Sequence, residues 1–162
     1  MYFKAKYAAR GKSTGQRGFP TDRDKKFIAE AIRLSKEAVR HGNEPFGALV
    51  VKNREIAAET EYQIYTGHDF TRHAELGLLQ KFTAETGITD LSEYTLYSSC
   101  EPCFMCSGAS DADLCTMLHE TGGECRKTVS DRSHHKPSVT AGVLREESLA
   151  VLREYFLKNK KN

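Results

Sequence analysis

The apolar side chains of Phe27, Ile28, Ala31, Leu34 and Ala38, with Ser35 among them, recur at the spacing of one helical face. This period predicts an amphipathic helix over 22–41, capped at Thr21 or Asp22 and ended by Gly42-Asn43. The pattern then changes. Phe46 to Lys52 is an apolar run around Ala48-Leu49-Val50-Val51, of the length of a buried strand. Asn53-Arg54 predicts a tight turn, and Glu55 to Ile64 a return strand, so that the two pair as a hairpin. Thr66 to Thr71 reads as a loop whose last residue caps a second helix, from near Arg72 to about Thr86. Leu76, Leu79 and Phe82 lie along that helix at i, i+3 and i+6, and Gly87 closes it. Tyr94-Thr95-Leu96-Tyr97-Ser98 is rich in strand formers. A short helix starts at Cys103 and runs to about Ser110. Gly122-Gly123, Pro137 and clustered polar residues predict a long loop over 119–140. Leu144 to Lys158 is a closing helix with Leu149, Leu152, Tyr155 and Phe156 on one stripe. No internal repeat is visible.

Residues 1–20 carry Lys4, Lys6, Arg10, Lys12 and Arg17 and are interrupted by Gly11, Gly15, Gly18 and Pro20. They read as a poorly ordered basic arm, and 21–158 as a single domain with a divergent region over 111–143. The length of 162 residues fits one domain with a real core. Hydrophobic residues at 39% and charged residues at 28% make an ordinary soluble balance. A net charge of +2 falls short of a nucleic-acid-binding signature, and no apolar run is long enough to span a bilayer. The arm lacks the apolar core of a secretory signal, which leaves a cytoplasmic location, with organelle targeting by the basic arm still open.

Five cysteines, three of them within Cys100, Cys103 and Cys106, argue against a disulfide framework and for a reducing compartment. Cys103 and Cys106 follow Pro102, and His73-Ala74-Glu75 lies upstream. One imidazole and two thiolates suit Zn²⁺, and three protein ligands leave a fourth position open for water, as in catalytic sites. Glu75 then serves as a proton shuttle rather than a ligand. An H-x-E paired with P-C-x-x-C is the signature of zinc deaminases. Both halves fall at predicted helix N-termini, where unpaired N–H groups and the helix dipole favour thiolate over thiol. Cys103 and Cys106, at i and i+3, face one side of a turn. Cys125 with His134 and His135 imitates a second metal site, but the Gly, Ser and Lys around them fit a solvated loop better.

Three separated stretches carry a family resemblance: Asn43 to Lys52, His73 to Leu76, and Tyr94 to Ala109 with its Ser98-Ser99-Cys100-Glu101-Pro102-Cys103 run. They resemble the cytidine deaminase-like superfamily, nearest its guanine and nucleoside deaminase branch, with tRNA adenosine deaminases close by. The resemblance implies a three-layer α/β/α fold around a mixed sheet, with His73, Cys103 and Cys106 on zinc and Glu75 shuttling protons. It implies hydrolytic deamination of a purine or related nucleobase or nucleoside through a zinc-activated water, in a homodimer, with substrate contacts at Phe46 and Ala74. Two departures stand out. Tyr62 occupies the place of a substrate-binding asparagine, where it offers a ring for stacking or sits as a surface residue. After Ser110 no fourth strand rich in Val, Ile and Tyr follows, so the sheet is expected to be short of one strand. Two other readings accompany the small-molecule deaminase: an inactive truncated relative and a tRNA adenosine deaminase.

Overall fold

The helical period at the front of the chain becomes α1 (Asp22–Arg40). A reciprocal cap holds its start: Asp24 N–H donates to Thr21 Oγ1 (3.2 Å), and Thr21 N–H donates to Asp24 Oδ2 (2.9 Å). At the other end Gly42, with φ +85°, lets Asn43 N–H turn back to the Ala38 carbonyl at 2.8 Å. The computed structural model describes residues 3–6, 20–111 and 138–159.

The apolar run forms β2 (Gly47–Lys52), paired antiparallel with β3 (Glu55–Glu61) around Asn53 and Arg54. Both turn residues have positive φ, +51° and +73°, which matches the twist of a two-residue hairpin. The return strand stops at Glu61 because Ile64–Gly67 wind into a short helix, α2. Asn43 Oδ1 accepts the N–H groups of Tyr65 and Thr66 (3.1 and 3.2 Å) and holds that turn in place of the expected strand end and loop. The next helix, α3, runs Ala74–Thr86 with His73, not Thr71, as its N-cap. Thr71 is not free to cap: its N–H and hydroxyl both donate to Asp69 Oδ1 (2.9 and 2.7 Å). β4 (Thr95–Ser98), α4 (Phe104–Asp111), β5 (Ser138–Ala141) and α5 (Arg145–Asn159) follow. Most of the expected 119–140 loop lies outside the described residues, but its end, from Ser138, is strand. Cys115, Cys125, His134 and His135 also lie outside the described residues.

The expected arm over 1–20 is corrected at its start. Phe3–Lys6 form a strand, β1, paired with β4 on one side and β5 on the other. The glycines that suggested disorder all come later in the chain, and the edge of β4 needs a partner for its backbone groups. The sheet order is β3-β2-β4-β1-β5. Among the described residues every pairing is antiparallel, not mixed as expected. A strand reached by a crossover from α4 would run parallel to β4, whereas the neighbour β4 has here comes from the front of the chain. The place thought to lack a strand is therefore filled.

Alternation along β2 and β4 sorts side chains into two cores. Ala48, Val50 and Leu96 pack with Ala74, Leu78, Leu79 and Phe82 of α3. Leu49, Val51 and Tyr97 pack with Ile28, Ala31, Ile32 and Leu34 of α1, joined by Val143 and Val151. The result is the expected three-layer α/β/α arrangement. Two helical faces differ from the sequence pattern. Leu78 takes the central place on α3 while Leu76 is half-buried, and α5 turns Ser148 and Val151 inward while Phe156 is exposed. Ser148 Oγ donates to the Ser99 carbonyl at 2.8 Å, which fixes that orientation.

Gly47 marks the closest approach of α1 to the sheet. A Cβ there would lie 2.5 Å from the Ala31 carbonyl oxygen, 2.6 Å from Leu34 Cβ and 2.7 Å from Ser35 N. Gly47→Ala is expected to lower unfolding free energy by about 1–3 kcal/mol in urea titration. In β1, Ala5→Pro removes a ladder hydrogen bond from a strand paired on both sides. A loss of about 1–3 kcal/mol is expected; an unchanged melting temperature would show that β1 contributes nothing to the sheet.

Candidate metal centre

Two helix N-termini converge over the end of β4. His73, in extended conformation (φ −64°, ψ 154°), is the N-cap of α3 and leaves its side chain out of capping. Cys103 takes the equivalent place before α4, its carbonyl accepting Ser107 N–H at 2.9 Å. Its sulfur also accepts the N–H groups of Met105 and Cys106, so the thiol itself caps the helix. Cys106 lies one turn in, fully buried, and its sulfur accepts the Leu76 N–H of α3. The first turn of each helix therefore supplies donors to the sulfurs.

The three candidate ligand atoms lie within 4.8 Å of one another. Cys103 Sγ is 3.5 Å from His73 Nδ1 and 3.7 Å from Cys106 Sγ. Tetrahedral bonds of about 2.3 Å to sulfur and about 2.0 Å to nitrogen require edges of about 3.8 Å between sulfurs and about 3.5 Å from sulfur to nitrogen. The donor set fits zinc in both chemistry and spacing. The two thiols are hydrogen-bonded to each other. Hydrogen bonding with Cys106, then N–H contacts and the His73 imidazole, pulls Cys103 down to about 5. Cys106 is pushed up by that same bond, by burial and by Glu75. A cation bound between them would take the place of the proton in that bond.

Glu75, in the first turn of α3, is only 4% exposed. Burial raises its pKa most strongly, opposed first by the hydrogen bond it accepts from Ser98. Ser98 Oγ donates to Glu75 Oε1 and accepts, at 3.4 Å, the N–H of Cys100. No sequence motif marks Ser98 as a site residue. Its signal was the strand period: Leu96 faces α3, so Ser98, two residues on, puts a hydroxyl into the same inward row. Cys100 is partly buried, as a small side chain beside the site would be.

The structure thus brings His73, Glu75, Cys103 and Cys106 together. Of the three expected substrate contacts, Phe46 is partly buried against the core beneath α3, and the Ala74 methyl is fully buried in that core. Only the backbone of Ala74 faces the N-terminal end of the helix. Tyr62 is not a surface residue; it is 5% exposed, with its ring against His73. Cys103 is exposed, so the site opens on its side. A cleft of about 580 Å³ between α1 and α5, lined by Lys36, Arg40, Tyr155 and Lys158 among others, contains none of the four site residues.

Residues 21–112 match the model of the cytidine and deoxycytidylate deaminase zinc-binding region, and the chain belongs to that family. It is 31% identical to the tRNA-specific adenosine deaminase of Bacillus subtilis over 142 residues, covering 82% of this chain and 88% of the relative. It is 42% identical to the guanine deaminase of the same organism over 84 residues, which is 51% of this chain and 54% of that relative, so the match spans about half of each. A solved tRNA:A34 deaminase, from work on A-to-I editing at the wobble position, superposes with a TM-score of 0.66. It is 25% identical and covers 78% of this chain and 99% of its own. Zinc is therefore the cofactor of the matched region, and His73, Cys103 and Cys106 are a set that could hold it.

Purified protein is expected to carry about one zinc per chain. Cys106→Ala is expected to bring metal content near zero by elemental analysis. Full zinc retention in that variant would remove Cys106 from the site.

Proposed function

We propose that this chain is a hydrolytic deaminase of a purine base or nucleoside, using His73, Cys103 and Cys106 as zinc ligands and Glu75 as the catalytic acid and base. The observation that carries this reading is the buried carboxylate of Glu75 beside a ligand triangle with zinc-sized edges. When bound, zinc supplies Lewis acidity that lowers the pKa of water from 15.7 to roughly 7. Glu75 takes the proton that water gives up as its oxygen bonds to the ring carbon bearing the amine. Its carboxyl then delivers that proton to the neighbouring ring nitrogen and assists proton movement to the departing amine. The carbon–nitrogen bond breaks, ammonia leaves, and a carbonyl replaces the amine, so one water is consumed per ammonia formed. Ser98 keeps the carboxylate in place by donating to Oε1. The opening on the Cys103 side supplies the approach for the base.

The identity to a guanine deaminase supports guanine as the first substrate to test. The modest net charge of +2 supports a small molecule over nucleic acid. No described helix is long and apolar enough to cross a membrane. Thiolate ligands suit a reducing compartment, which supports a cytoplasmic location. Exposed Phe104 and Leu157 supply apolar surface for a homodimer. A second reading, deamination of adenosine in tRNA, draws on the longer match to a tRNA-specific adenosine deaminase.

The test is ammonia release from guanine, guanosine, adenosine and cytosine, with inosine formation in tRNA measured in parallel. Turnover of one small substrate is expected, and Glu75→Gln should slow it by about 10²–10⁴-fold while zinc content is retained. A zinc-loaded wild-type protein that releases no ammonia from any of these would defeat the small-molecule reading. Inosine formation in tRNA, with binding that weakens as salt rises, would favour the second.

A further inference from the structure

Tyr62 stands where relatives were expected to carry a substrate-binding amide, yet it is 5% exposed and walled in by rings. Its ring centroid is 5.1 Å from that of His73, at an interplanar angle of 47°. Phe46 packs at 5.5 Å and Tyr65 at 6.3 Å. The backbone here is fastened on both sides. Tyr62 N–H donates to the Phe46 carbonyl at 3.0 Å, and Gln63 N–H donates to the Arg72 carbonyl at 3.0 Å. The second bond ties the Tyr62 segment directly to the residue before His73. At the outer end of the cluster, the Glu44 carboxylate accepts from Tyr65 Oη at 3.1 Å and is hydrogen-bonded to the Tyr62 phenol.

His73 needs such a support. A metal-binding histidine is usually oriented by a hydrogen bond from its second ring nitrogen to a carboxylate or carbonyl. Here Nδ1 faces Cys103 Sγ at 3.5 Å, and His73 makes no side-chain capping bond. Among the described residues, what bears on its ring face is the tyrosine. Rotation of the imidazole about its side-chain bonds would drive it into Tyr62, itself held by Phe46 and Tyr65.

We propose that Tyr62 is a positioning residue for His73: its clamped ring fixes the imidazole plane so that Nδ1 points at the two cysteine sulfurs. It acts on the imidazole through ring contact and does not itself contact substrate. This inference rests on His73 being a metal ligand, as in the function proposed above, but it does not depend on which substrate is turned over, or on any turnover.

The test is zinc affinity, by competition with a chromogenic chelator, and the visible absorption of the cobalt-substituted protein, for wild type, Tyr62→Phe, Tyr62→Leu and Tyr62→Ala. Each variant is first checked for cooperative unfolding in the metal-free state. Tyr62→Phe keeps the ring face and is expected to bind zinc within about threefold of wild type. Tyr62→Leu and Tyr62→Ala are expected to bind about 10–100-fold more weakly, with altered cobalt bands. If the alanine variant does not fold, the leucine variant, which refills most of the space, decides. Wild-type affinity in the leucine variant, or a loss in Tyr62→Phe as large as in Tyr62→Leu, overturns the proposal. So does unchanged zinc affinity with lost ammonia release, which would make Tyr62 a substrate contact. A wild-type protein that binds no zinc removes the ligand role on which the proposal stands. Absent guanine turnover with the expected order of affinities would leave Tyr62 in its role and count only against the substrate.

Discussion

Two helices that start at the same point in space set the conditions for everything else in this molecule. The first turn of a helix carries backbone N–H groups without partners and the positive end of its dipole. Bringing α3 and α4 together at their N-termini doubles that burden unless something electron-rich lies between them. The sulfurs of Cys103 and Cys106 do: Leu76 of α3 donates to one, and Met105 and Cys106 of α4 to the other. The same environment favours thiolate at Cys103 and so prepares the site for a cation. The Glu75 carboxylate, buried near that end of α3, draws on the same field and on the Ser98 hydroxyl.

The sheet exists in service of that meeting. β4 ends at Ser98, under the start of α3, and its next residue, Ser99, pairs back to Gly47 of β2 through its N–H and its hydroxyl (2.9 and 3.0 Å). Those bonds, with the bare α-carbon of Gly47 against α1, set the height at which the chain turns from β4 toward the cysteines. The sheet buries both faces, so a lapse in either core would tilt β4 and separate the ligands. β1 and β5 close the side of β4 that would otherwise expose unpaired backbone. A strand from the front of the chain can do this because edge pairing asks for backbone donors and acceptors, not for a particular sequence.

The four longer helices, the hairpin and the ligand set were legible because each depends on neighbours in the chain. The period of Ile28, Ala31 and Leu34 marks a helix face wherever it occurs, and two positive-φ residues at Asn53-Arg54 turn a hairpin locally. Cys103 and Cys106 share a turn by spacing alone. The failures were of another kind. Thr71 looked like a cap but was already bound to Asp69. Phe3–Lys6 looked like part of a loose arm because its partners, Thr95–Ser98 and Ser138–Ala141, lie far away in the chain. Tyr62 read equally well as a surface residue or a substrate contact, since nothing beside it in the sequence reveals Phe46 and His73 packed against its ring.

By itself, then, the order of residues determined which atoms are suited to hold a metal and move a proton, because donor type and short spacing are properties of a single turn. Only the tertiary structure decided that His73 and Cys103, thirty residues apart, come within 3.5 Å of each other. It alone decided that Ser98 reaches Glu75, and that β4 is flanked by β1 rather than by a strand from beyond α4. The reason is physical: such distances are set by how two cores pack on one sheet and by which backbone edges remain to be paired, and both are sums over the whole chain.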